Sequence, residues 1–184
     1  MKTLYCPSCG EVRSIEVKNE KETYPVKGEF VEIDALVSYC THCGEQILDI
    51  DLDDQNLKTA FRQYRKNHKL LQPEEIKAIR DKFRVSQATF SRILGFGEKT
   101  ITRYESGTIQ DEAQNNLMVL VSEDIDNFAS LVHRNSDKLT STELTKVKCN
   151  ILLARQRELN TFQPEYKYSP RSPYNCMEVI RRVV

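Results

Sequence analysis

Two cysteine pairs carry the clearest chemistry in this sequence. Cys6-Pro7-Ser8-Cys9-Gly10 and Cys40-Thr41-His42-Cys43-Gly44 are both C-x-x-C-G, with 30 residues between Cys9 and Cys40. Two intervening residues let one tight turn aim both sulfurs at a single ion, and zinc takes four such ligands in a tetrahedron at about 2.3 Å. Gly10 and Gly44 allow the backbone to finish each turn without a Cβ clash. A redox pair would be a single C-x-x-C opening a helix in a βαβ unit, whereas this motif is doubled and no helical pattern follows it. Cys6, Cys9, Cys40 and Cys43 are therefore expected to bind one structural Zn²⁺ per chain, and four thiolates leave no open position for catalysis. His42 reads as a solvent-facing knuckle residue. Cys149 and Cys176 have no such spacing and read as ordinary thiols.

A second group of residues could meet nucleic acid. Lys99 and Arg103 are spaced i, i+4, so on a helix they share one face, as a helix lying in the major groove requires. Either can donate to guanine O6 and N7, and Arg does so in a bidentate way. Gln87 at the start of the preceding helix, with Thr100 and Thr102, could hold phosphates. A plain helical bundle with incidental surface charge fits the periodicity as well.

The elements that must position these groups follow from pattern and punctuation. From Glu11 to Tyr39 short apolar stretches alternate imperfectly with polar residues, and Pro25 and Gly28 interrupt them, which predicts strands. Asn56 to His68 reads as a basic linker helix. Pro73 suits a first helical turn, with Ile76, Ile79 and Phe83 following at helical spacing. A helix from Ser86 to Leu94, a Gly95-Phe96-Gly97 turn and a helix ending at Ser106 come next, with Gly107 placed as the residue after a helix end. On these helices Phe90, Leu94, Ile101 and Tyr104 are expected to be buried. Leu117, Leu120 and Val121 form one further stripe, and Ile125, Phe128, Ala129 and Val132 another. Together they exceed what one small module needs, so part is expected to be shared in a homodimer. Thr140 and Glu143 read as a capping box opening a helix through Leu159. Residues 160–175, with Pro164, Pro170 and Pro173, read as an extended arm.

The whole chain of 184 residues is formally neutral, with 27 basic and 27 acidic side chains, but its segments are not. Residues 1–55 carry 5 Lys and Arg against 12 Asp and Glu, a balance of −7. Residues 56–110 carry 12 against 5, or +7, and the remainder carries 10 against 10. A basic middle is the footprint of something that meets phosphate. No apolar run approaches the roughly 20 residues a membrane-spanning helix needs. The N-terminus lacks a secretory apolar stretch, so a cytoplasmic protein is expected, where paired cysteines hold metal more often than disulfides. His42, His68 and His133 are scattered without a carboxylate or nucleophile beside them, which argues against an enzyme.

The stretch from Leu71 to Gly107, notably Ser86-Gln87-Ala88, Leu94-Gly95 and Thr102-Arg103-Tyr104-Glu105, resembles the XRE/Cro-like helix-turn-helix. The paired C-x-x-C-G motifs resemble the YgiT-type zinc finger. The two in this order resemble MqsA-type antitoxins over roughly residues 1–125. The resemblance implies an α+β protein with a small zinc-bound, β-rich domain over 1–55, a linker helix over 56–70 and an all-α helix-turn-helix domain over 71–135; the helical extension and extended tail over 136–184 are read from pattern alone and lie past the resemblance. It further implies a zinc module that grips a protein toxin and a helical module that dimerises on double-stranded DNA at a palindromic operator, repressing its own operon. Lys99 and Arg103 fall where the family reads bases; the family typically has Asn at the former, so Lys99 is a departure. A stand-alone or phage-type regulator without a toxin, and an adaptor that makes only protein contacts, remain open alternatives.

Overall fold

A computed structural model describes residues 2–161 of the chain. The chain divides into two compact units, Met1–Gln72 and Pro73–Val184. The mixed α+β class expected from the sequence is the one adopted.

The first unit is an antiparallel sheet of order β1-β2-β3-β4, formed by β1 (Thr3–Cys6), β2 (Glu11–Val26), β3 (Glu29–Cys40) and β4 (Gln46–Ile47). Strand β2 is shared: Glu11–Ser14 pair with β1, and Ile15–Val26 pair with β3. Lys27 and Gly28 join β2 to β3 with φ of 49° and 86°. Two consecutive positive φ values give the tight turn whose twist matches that of the strands it joins. Alternation along β3 buries Val31, Ile33, Ala35 and Val37 while Glu32 and Asp34 stay exposed.

Helix α1 (Ile50–Asn67) begins before the expected Asn56, because Asp49 caps it by accepting from the Asp51 N–H at 3.2 Å. Residues expected to form a linker are instead packed within this unit: Asn56, Ala60, Tyr64 and Arg65 are buried. The Asn56 amide bonds both backbone groups of Leu36, accepting from its N–H and donating to its carbonyl at 2.9 Å each. One side chain thus satisfies two groups of β3 that sheet pairing leaves over. Asp49 is itself buried and ion-paired with Lys2 at 2.7 Å.

The second unit comprises α2 (Pro73–Lys82), α3 (Gln87–Ile93), α4 (Thr100–Glu105), α5 (Glu112–Glu123), α6 (Ile125–Arg134), a 3₁₀ turn at Ser136–Lys138 and α7 (Ser141–Thr161). Ile76, Phe83, Phe90, Ile101, Met118, Phe128 and Val147 fill its core. Phe83 stacks on Phe128 with ring centroids 3.7 Å apart.

The two apolar stripes fare differently. On α5 the buried residues are Met118 and Val121, while Leu117 is half-buried and Leu120 is 48% exposed. The run Leu117-Met118-Val119-Leu120-Val121 is apolar throughout, so periodicity alone does not fix which face turns inward. On α6, Ile125, Phe128 and Val132 are all buried inside the unit and so are not available to a second chain. The capping box forms: Thr140 Oγ1 accepts from the Glu143 N–H at 3.3 Å, and Glu143 accepts from the Thr140 N–H at 3.0 Å. The rest of the expected extended arm beyond Thr161, and Cys176, lie outside the described residues. Cys149, expected as an ordinary thiol, is buried and disulfide-bonded. Its sequence neighbours carry no signal of that.

Candidate metal centre and nucleic-acid interface

The two knuckles are built alike. In each, the glycine N–H donates to the carbonyl of the first cysteine at 2.9 Å, Gly10 to Cys6 and Gly44 to Cys40. Gly10 and Gly44 have φ of 70° and 75°, a conformation that costs a residue with a Cβ and costs glycine nothing. One knuckle joins β1 to β2 and the other joins β3 to β4, so the sheet brings together sulfurs distant in sequence. The Sγ atoms of Cys6, Cys9, Cys40 and Cys43 lie within 4.8 Å of one another. Cys6 and Cys43 are 3.5 Å apart and Cys9 and Cys40 are 3.9 Å apart. Four sulfurs arranged tetrahedrally at about 2.3 Å from one ion stand roughly 3.8 Å apart, so the cluster has the dimensions of a closed metal site.

Cys6 and Cys40 are buried with Ile47, and Leu4, Cys9 and Ile15 pack around them. The Cys40 thiol is drawn down to about 6, first by the backbone N–H of Cys43 and also by that of His42, against the opposing cost of burial. The Cys9 thiol moves the other way, pushed up to about 12 by hydrogen bonding with Cys43, by burial and by the other two sulfurs, so the four thiols share their protons unevenly. His42 is exposed, with Nδ1 3.7 Å from Cys9 Sγ.

In the second unit, Ser86 caps α3 by accepting from the Thr89 N–H at 3.1 Å. Gly95, at φ 74°, reverses the chain, and the Phe96 N–H donates back to Ser91 at 2.8 Å. Helix α4 is six residues long. Lys99 is its N-cap residue, just outside the helix, and offers no side-chain capping bond. The Arg103 N–H donates to the Lys99 carbonyl at 3.1 Å, so the two stand one turn apart, and both are exposed. Thr100 is half-buried and Thr102 is exposed.

Gln87 and Thr102 meet directly: the Thr102 hydroxyl donates to Gln87 at 2.9 Å. The Gln87 amide donates to Glu105 at 2.7 Å, and Arg80 grips the same carboxylate at 2.6 and 3.1 Å. Burial works to raise the Glu105 carboxyl, but Arg80 and Gln87 hold it below its ordinary value. Sequence reasoning missed Arg80 and Glu105 as site residues. They lie 25 positions apart, and no local spacing links them.

A strand module that gathers four thiols, followed by a helix-turn-helix module, defines a two-unit α+β protein with a candidate metal site. The family model for the antitoxin component of bacterial toxin–antitoxin systems, MqsA, matches residues 4–134, and the chain belongs to that family. The match runs from β1 through α6 and ends before α7. No curated protein matches the chain. Membership gives the protein an antitoxin role, and with it a toxin as partner. Among the described residues no helix is long and apolar enough to cross a membrane.

Proposed function

We propose that this antitoxin is also a sequence-specific DNA-binding repressor of its own operon, acting in the cytoplasm as a homodimer on a palindromic operator. The observation that carries the reading is the α3–α4 arrangement. Lys99 and Arg103 stand exposed one turn apart, while Gln87, Thr102, Glu105 and Arg80 lock the two helices together beneath them. Lys99 and Arg103 read base edges in the major groove, and Thr100 and the second N–H of the Gln87 amide contact phosphates, whereas Thr102, expected at a phosphate, donates its hydroxyl hydrogen to Gln87 and positions α4 instead. Leu120, exposed on α5 beside half-buried Leu117, supports self-association on that helix.

The metal held by Cys6, Cys9, Cys40 and Cys43 is one structural Zn²⁺ per chain. A closed thiolate site supplies folding energy and no Lewis acid to a substrate. The module around it, with a balance of −7 over residues 1–55, is repelled by DNA and is the surface that takes the toxin. A toxin that cuts RNA must itself bind phosphate and so tends to be basic, and opposite fields speed encounter.

Co-expression with the product of the adjacent gene, alongside a reporter driven by the chain's own promoter, tests both roles. Wild type lifts growth inhibition and silences the reporter. Arg103→Ala still lifts inhibition but leaves the reporter on. A reporter indifferent to the wild-type protein contradicts the repressor role.

A further inference from the structure

We infer that α7, which lies beyond the residues matched by the family, belongs to the DNA-reading unit, and that Glu143 and Asn150 are positioning residues for α3 and α4. The inference rests on the DNA-binding reading above. It begins from the shortness of the helices concerned: α3 has seven residues and α4 has six. Helices of that length do not sustain themselves, and α4 has no side-chain cap at Lys99. Their positions must be set by what holds them.

Helix α4 hangs on α3. The Ile101 N–H donates to Ser91 Oγ at 3.3 Å, Thr102 donates to Gln87, and Gln87 donates to Glu105. Helix α3 is held in turn by α7. One carboxylate oxygen of Glu143 accepts from the Thr89 hydroxyl at 2.9 Å and from the Arg92 guanidinium, both on α3. Its other oxygen closes the Thr140 capping box at the start of α7. The same carboxylate thus begins α7 and fastens it to α3. Thr140, Thr89 and Arg92 together hold the Glu143 carboxyl below its ordinary value.

Two turns further along, Asn150 donates to the carbonyls of Phe83 at 3.0 Å and Arg84 at 3.3 Å. These residues form the turn between α2 and α3, where Arg84 has φ 53°. A side chain with a Cβ resists that conformation, and it persists where surrounding contacts over-determine it. Val147, Ile151 and Ala154 are buried between and beyond these two polar anchors. The face 143, 147, 150, 151, 154 is one helical stripe, and it spans α3 from its middle back to the turn before it. A continuous series of polar contacts therefore runs from α7 through α3 to the helix that bears Arg103.

The test uses the full chain with Glu143→Ala, Asn150→Ala and, as the conservative replacement, Glu143→Gln, which keeps an acceptor for Thr89. Amide hydrogen exchange is followed across the second unit, and affinity is followed by fluorescence anisotropy on a duplex taken from upstream of the chain's own gene. Well below the melting temperature, exchange in α3 and α4 should quicken about tenfold in Glu143→Ala, with α5 and α6 unchanged, because a hydrogen bond to a charged group is worth about that factor. Affinity should fall by a similar factor with an unchanged salt slope, since no phosphate contact is removed, and Glu143→Gln should recover most of both. Exchange that is unchanged, or raised evenly through α2–α7, overturns the inference, because α7 is then structural packing only. A flattened salt slope overturns it too, since the lost contact was then to DNA. A wild-type protein that ignores the duplex defeats the DNA-binding reading instead, and the exchange pattern still decides whether α7 positions α4.

Discussion

Arg80→Met should be the most damaging single polar change in the second unit. The Arg80 and Glu105 side chains are 12% and 7% exposed, so the substitution leaves a nearly buried carboxylate without its cation. Removing one partner of a fully buried ion pair costs about 3–5 kcal/mol. Here Gln87 still donates to Glu105, and some solvent reaches Arg80, so the loss should be nearer ~2–3 kcal/mol. A domain of 60–100 residues loses about 4–8 °C per kcal/mol, which makes the expected fall in Tm of the helical unit roughly 10–20 °C. The effect should depend on pH in a defined direction. Because the folded state holds Glu105 below its ordinary value, the pair's contribution is fully present above the unfolded carboxylate range and is lost as pH falls through the folded value. The gap between wild type and Arg80→Met, measured by thermal denaturation followed by circular dichroism, should therefore narrow below about pH 4.5. A variant that melts within a degree or two of wild type at neutral pH, or a gap that widens on acidification, would show that the Arg80–Glu105 pair does not hold the unit together.

Other consequences are as direct. Metal analysis should give one zinc per chain, and chelation should unfold the strand module while sparing α2–α7, since structural zinc contributes on the order of 10–16 kcal/mol in small modules. Cys40→Ser should reproduce chelation, and a zinc-free protein with an intact first unit would count against the site. Asn56→Ala strands the Leu36 N–H and carbonyl and should lower the urea midpoint of the first unit by the equivalent of ~1–3 kcal/mol; an unchanged midpoint would show that water replaces the amide. Lys2→Met should destabilise the same unit through Asp49, whose carboxyl Lys2 holds below its ordinary value. That loss should fade as the solution is acidified through the carboxylate range, because the contribution exists only while Asp49 is ionised. Arg103→Ala should weaken operator binding by ~1–3 kcal/mol and relax base preference at one position in each half-site, as read by binding to single-substituted duplexes.

What the sequence disclosed follows the range over which each signal acts. The knuckles were legible because a C-x-x-C-G turn is a five-residue event, and because its doubling leaves one sensible use for four thiols. The helices from Pro73 to Ser106 were legible because proline, Ser86, Gly95 and Gly107 mark their ends in the backbone itself. The start of α1 was missed because its cap, Asp49, stands in an acidic run where any of several aspartates could serve. That α1 packs on β3 depends on Asn56 reaching Leu36, a contact 20 residues apart with no periodic trace. Of the stripe Leu117, Leu120 and Val121, only Val121 turns fully inward, with Met118 beside it, because five consecutive apolar residues offer no polar side to orient the helix. Arg80 with Glu105, and Glu143 with α3, are pairings that only the tertiary arrangement creates.

An antitoxin that reads DNA through α4 as a symmetric dimer must leave a symmetric mark on its operator. That mark is read by a nuclease footprint of the full, zinc-loaded chain across its own promoter. Two protected half-sites should appear, related by a two-fold axis with centres about 34 Å or a multiple of it apart, and both should be lost together in Arg103→Ala. A footprint without two-fold symmetry, or protection that survives Arg103→Ala unchanged, would contradict this mode of binding.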